Sequence, residues 1–173
     1  MDGAATESPI KGPPSLDGAA REELPLGGYS TLTGVFGVAF AGSMALAVRR
    51  RGELPPQPSP WDVATIGVAT HKLTRLIAKA KVTSFLRAPF TEYEGRSGRA
   101  EVSESPQGTG LRRAVGELLV CPHCLGQWVA GGFGVGLVAA PRMTRLLAAI
   151  YTAQATADFL QIAYKAAEDA ADS

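Results

Sequence analysis

Glu117-Leu118-Leu119-Val120-Cys121-Pro122-His123-Cys124-Leu125-Gly126-Gln127-Trp128 decides what kind of protein this chain makes. The stretch holds both cysteines, one of the two histidines and one of the two tryptophans of the 173-residue sequence. A long charged segment precedes it, and from Gln127 to Ala140 there is no charge at all. A charge-free apolar run that begins at a sharp polar boundary is the pattern of a chain entering lipid.

The same pattern recurs upstream. Tyr29 to Val48 is a second charge-free run, long enough to cross the hydrocarbon core as a helix, and Arg49, Arg50 and Arg51 end it. A first membrane span is therefore expected over residues 28–51. Gly34, Gly37 and Ala41 fall three and four apart, which predicts a face for close helix packing. Residues 1–27 carry Pro, Gly, Ser and mixed charge without an apolar period, and are expected to be a disordered tail. They lack the short basic start of a secretory signal.

Four prolines between Gly52 and Pro60 predict a loop. Trp61 opens a second helix, with Asp62 in its first turn. Val63, Ile66, Leu73 and Ile77 form one stripe, and Lys72, Arg75 and Lys79 another. Such a helix either crosses the bilayer with its basic ends snorkelling or lies in the interface. Residues 79–113 are the largest polar segment, expected to be a surface loop with an excess of base. Its glycines form neither a phosphate loop nor a dinucleotide fingerprint.

A third apolar segment runs from Ala114 to Ala140, with Gly132 and Gly136 in a G-x-x-x-G packing pair and Pro122 placed to kink it. A turn at Pro141 leads to a fourth, Leu146 to Tyr164, interrupted by Gln154, Asp158 and Gln161. Residues 166–173 form an acidic tail. If the N-terminus, the 79–113 segment and the C-terminus share one side, that side holds most of the Lys and Arg, which favours placing it in the cytoplasm. The Arg49–Arg51 cluster opposes that assignment. With 61–78 flat in the interface, the N-terminus would lie outside instead.

The chemistry-bearing residues are few. Cys121-Pro122-His123-Cys124 has the spacing of a redox dithiol, and some thiol oxidases use these same four residues. That chemistry ordinarily sits in a fold with a strand before the motif, and no alternating strands are visible here. A second reading gathers Cys121, Cys124 and His123 with His71 into a soft site of the kind zinc takes. A third is structural: small, soft residues beside a helix-bending proline, with Trp128 anchored near the headgroups. Glu117 and Asp158 are costly in lipid and should face protein or water, as a polar contact or a proton path. Lys72, Arg75 or His71 could partner Asp158. A net charge of +1 gives no argument for nucleic acid.

One resemblance joins these pieces. His71-Lys72-Leu73-Thr74-Arg75-Leu76-Ile77, Lys81-Val82-Thr83, Leu86-Arg87-Ala88-Pro89-Phe90, Gly116-Glu117-Leu118-Leu119, the C-P-H-C and Gly126-Gln127-Trp128 together resemble the bacterial membrane-protein family catalogued as domain of unknown function 1360. It covers roughly residues 61–165, some relatives are described as sporulation proteins, and it implies a small multi-span membrane protein without catalytic residues. The expectation is an all-α, multi-pass inner-membrane protein with three or four membrane helices. It would act as a non-enzymatic accessory or scaffold, able to form homo-oligomers. The 79–113 loop would meet a protein partner or anionic lipid. A membrane thiol or metal protein, and a small proton-coupled transporter using Asp158 and Glu117, are the alternatives.

Overall fold

The computed structural model describes residues 25–52, 57–98 and 100–172. The tail expected over 1–27 lies outside the described residues as far as residue 24. Six α-helices and one hairpin are found among the described residues: α1 Leu26–Arg51, α2 Pro60–Lys79, α3 Ser84–Arg87, β1 Thr91–Arg96, β2 Val102–Pro106, α4 Gly110–Val120, α5 Pro122–Ala139 and α6 Pro141–Ala171. A 3-10 turn, Lys81–Thr83, separates α2 from α3.

Local chemistry sets these boundaries. Gly52 ends α1 with a left-handed φ of 80°, and its N–H returns to the Val48 carbonyl at 2.9 Å. Ser59 and Asp62 form a capping box at the start of α2, at 3.0 and 3.1 Å, with Pro60 at the first helical position. Pro122 likewise opens α5, and α4 meets α5 at 83°. The expected kink is thus a corner between two separate helices.

Cross-helix contacts fix the directions. Phe36 and Phe40 of α1 lie against Gly131 of α5, and Phe36 also meets Trp128, so α1 and α5 run parallel. Asp62–Arg145, Thr65–Thr152 and Lys72–Asp158 make α2 parallel to α6. α5 and α6 are antiparallel about Ala140. Consequently the start of α1, the end of α2, the hairpin, α4 and the end of α6 share one end of the bundle. Arg49–Arg51, the start of α2 and the Ala140 turn share the other. The core lies where α2, α5 and α6 meet, at Ala69, Phe133 and Ala148.

Two expectations are corrected. The protein is mostly helical but not all-α, because part of the 79–113 segment is an antiparallel hairpin rather than a loop. Its register pairs Thr91 with Pro106, Tyr93 with Glu104 and Arg96 with Val102, with an irregularity between Tyr93 and Gly95. Nor are there three or four spans by length and apolarity. Among the described residues only α1 qualifies alone, and the bent α4–α5 pair qualifies if counted as one span. Charges at Asp62, Lys72, Arg75 and Lys79 remove α2. Gln154, Asp158 and Gln161 dilute the apolar run of α6. A helix like α1 near the N-terminus has the character of a membrane span or a signal sequence.

A buried ion pair holds the hairpin. Arg87 is fully buried and Glu104 nearly so. Arg87 Nε and Nη2 donate to the Glu104 carboxylate at 2.7 and 3.0 Å. The same guanidinium donates to the Ile77 carbonyl, to Thr83 Oγ1 at 2.9 Å and to the Ala80 carbonyl at 3.2 Å. It therefore caps the C-terminal end of α2 while binding β2. Ser84 and Thr91 hydroxyls also donate to Glu104. Burial alone would raise the Glu104 pKa, but the bonds from Arg87, Ser84 and Thr91 outweigh it and hold the carboxyl below its ordinary 4.5.

Removing Glu104 leaves a buried guanidinium unpaired. Glu104→Ala should destabilise the hairpin by about 3–5 kcal/mol, read by amide exchange. A carboxyl with a lowered folded pKa contributes stability above its unfolded value and loses it as pH falls through the folded one. Hairpin protection should therefore hold at neutral pH and fail progressively below pH 4.5, and the acid sensitivity should be reduced in Glu104→Gln.

Candidate functional site at the α4–α5 corner

The first turns of α1 lie against α4. A Cβ on Gly28 would come within 2.6 Å of Ala114 Cβ, so only glycine permits this approach. Further along, Gly131 receives the Phe36 ring. Between these contacts α1, α4 and α5 enclose a groove of about 350 Å³. Leu32, Phe36, Leu118 and Trp128 supply apolar walls, while Tyr29, Glu117, Gln127 and Cys124 bring polar atoms. A mostly apolar concavity with a few convergent polar groups is the usual form of a binding site.

Glu117 accepts from the Tyr29 hydroxyl and from Arg113 Nε, the latter at 3.0 Å. Cys121 is the corner residue, ending α4 and capping α5 with extended backbone angles. Its Sγ accepts the Cys124 N–H at 3.2 Å, and the two cysteines are joined in a disulfide with Cα atoms 5.3 Å apart. Cys124 is exposed beside the groove and Cys121 is half-buried.

The other sequence candidates are dispersed. His71 on α2 and His123 on α5 are both exposed. No group of three or more His, Cys, Asp or Glu side chains comes together to hold a metal ion among the described residues. Cys121, Cys124 and His123 at the corner and His71 on α2 are not gathered into such a group. Asp158 is paired with Lys72, one of the neighbours the sequence offered, and half-exposed. Glu117 and Asp158 belong to separate ion pairs on α4 and α6. Gly34 and Gly37 face open space, as does Gly132, whereas Gly136 packs on Thr144.

The sequence reading missed Tyr29 and Phe36 as parts of the site, since nothing in a charge-free run marks which face meets α4. Comparison with known proteins adds the lineage. The family described as "Protein of unknown function (DUF1360)" matches residues 65–164. The chain belongs to the DUF1360 family. It is also similar to the sporulation protein YjcA of Bacillus subtilis (strain 168), 33% identical over 72 residues. That stretch is 40% of this chain and 61% of the relative, so the match spans less than two thirds of YjcA. No solved structure matches. The DUF1360 segment carries α4 and α5 but not α1, so the third wall of the groove lies outside the family segment.

The contact at Gly28 distinguishes the glycines of α1. Gly28→Ala should push α1 off α4, costing about 1–3 kcal/mol and altering Trp128 fluorescence. Gly34→Ala and Gly37→Ala should leave both unchanged or slightly stabilise the helix, because nothing lies within 4 Å of either added methyl.

Proposed function

We propose that this is a membrane-anchored accessory protein that holds a polar platform, residues 80–98 and 100–106, at one end of a helical anchor. The observation that carries the reading is the exposure of α1. Only 6% of its most apolar 18-residue stretch is buried in the protein. A soluble core helix is buried, so an apolar helix left this bare needs lipid around it. The wider packing supports this. Among the described residues six of the ten buried apolar ones are alanines, while Val35, Val38, Leu146, Ile150, Phe159 and Ile162 face outward. Small residues inside and large apolar ones outside is the arrangement of helices packed in lipid.

A span is favoured over a cleaved signal because α1 is built into the fold. Gly28, Tyr29 and Phe36 contact α4 and α5, and removing them would strip one wall of the groove. The platform end carries Val82, Phe85 and Tyr93 as exposed apolar or aromatic side chains, beside Lys81. Three of its described arginines are used internally: Arg87 on Glu104, Arg112 on the Pro89 carbonyl and Arg113 on Glu117. The surface therefore suits a protein partner better than it suits anionic lipid. The likeness to a sporulation protein supports an accessory role.

Reporters placed before Leu26 and after Gly52 should lie on opposite sides of the membrane, with the chain uncleaved and retained in alkaline-washed membranes. Cleavage after α1, or release on washing, would overturn the anchor. For the platform, Tyr93→Ala with Phe85→Ala should abolish the cellular phenotype while changing stability by no more than about 0.5 kcal/mol, as for exposed side chains. An unaffected phenotype would count against partner binding there.

A further inference from the structure

We propose that Cys121 and Cys124 form a thiol–disulfide exchange site that oxidises a dithiol carried on a small apolar molecule seated in the adjoining groove. This does not rest on the platform reading. Three features converge at the corner. The two sulfurs are already bonded, across a spacing of three residues. The pair caps an 18-residue helix, with Cys121 Sγ accepting the Cys124 N–H. And Cys124, the exposed member, borders an apolar groove walled by Leu32, Phe36 and Trp128. A purely structural clasp needs neither the exposure nor the groove.

The geometry sets the order of events. A thiolate of the incoming dithiol attacks the exposed Cys124 Sγ. The Cys121–Cys124 bond breaks, and its electron pair leaves on Cys121 Sγ, where the Cys124 N–H and the start of α5 stabilise negative charge. Cys121 then takes one of the two protons given up by the dithiol. The second sulfur of the dithiol attacks its partner sulfur in the mixed disulfide, the bond to Cys124 breaks, and Cys124 takes the other proton. The dithiol loses two electrons and two protons and becomes a disulfide. The cysteine pair gains both, and no further oxidant enters the step. The Glu117 charge beside the groove is balanced by Arg113, so it does not stand as an isolated anion against an approaching thiolate.

The test uses the full-length protein in detergent micelles, with dithiothreitol and dihydrolipoamide as probe dithiols and thiol-alkylation mass shifts as readout. Wild-type protein should pass from disulfide to dithiol with its helical signal unchanged, and should return with glutathione disulfide. Reduction seen only after unfolding would overturn the proposal, and this arm needs no variant. In Cys121→Ser, glutathione disulfide should leave a lasting mixed disulfide on Cys124. In Cys124→Ser, the Cys121 thiolate fraction at pH 7 should exceed that of an ordinary cysteine by more than about tenfold. An ordinary titration of Cys121, or a Cys124 that forms no mixed disulfide, would overturn the order of attack. Dihydrolipoamide should react about tenfold faster than dithiothreitol, the worth of two buried methylenes, and Phe36→Ala should erase the difference. Equal rates in the wild type would remove the groove from the site.

Discussion

The Arg87–Glu104 pair is the constraint on which one end of this protein depends. A buried charge pair contributes little net stability when complete and is ruinous when broken. Here it is complete, because Ser84, Thr83, Thr91 and two backbone carbonyls occupy the remaining donors and acceptors. The pair therefore acts less as glue than as a geometric specification. Only one placement of β2 against the end of α2 satisfies every group. That placement carries forward, since Gly116 of α4 sits against the Phe90 carbonyl and Pro106, too close for any Cβ. The hairpin thereby positions α4, and α4 sets where the chain turns into α5.

The rest of the molecule is held differently. Away from the hairpin the helices meet through alanine, glycine and threonine, which lets backbones approach, and through a few ion pairs such as Asp62–Arg145. Asp62 serves both the capping box of α2 and this bridge to α6, at Nε and Nη2 distances of 2.8 and 3.0 Å. One carboxylate thus fixes where α2 begins and which helix lies beside it.

Sequence made some of this legible and concealed the rest for physical reasons. The apolar run of α1, the proline-rich approach to α2, the break at Pro122 and the family were all readable, because each is local in the chain. The hairpin was not. Thr91-Glu92-Tyr93-Glu94-Gly95-Arg96 and Val102-Ser103-Glu104-Ser105-Pro106 are short and polar, without the alternation that marks a half-buried strand. Their inward side is defined by Glu104, a residue that looks like surface until Arg87 is beneath it. Charge counting could not show that Arg87 and Arg113 are engaged internally, on Glu104 and Glu117. Glycine spacing predicted close packing at Gly34, Gly37, Gly132 and Gly136; of these Gly136 is closely approached, and the further close approaches at Gly28 and Gly116 were not predicted. Spacing identifies a face that can be approached, not the neighbour that approaches it. At the corner, the cysteines and Glu117 stand out in the sequence as residues, while the groove beside them depends on α1, more than eighty positions away.

The helix directions have an electrical consequence. Each long helix carries a macrodipole, positive at its start and negative at its end. With α1 and α5 running one way and α2 and α6 the other, the four oppose each other in pairs. The bundle therefore presents little net dipole along its length, and an imposed voltage would find only the side-chain charges to act upon. Arg49, Arg50 and Arg51 sit on the negative end of α1, where they offset one of the few poles left uncovered.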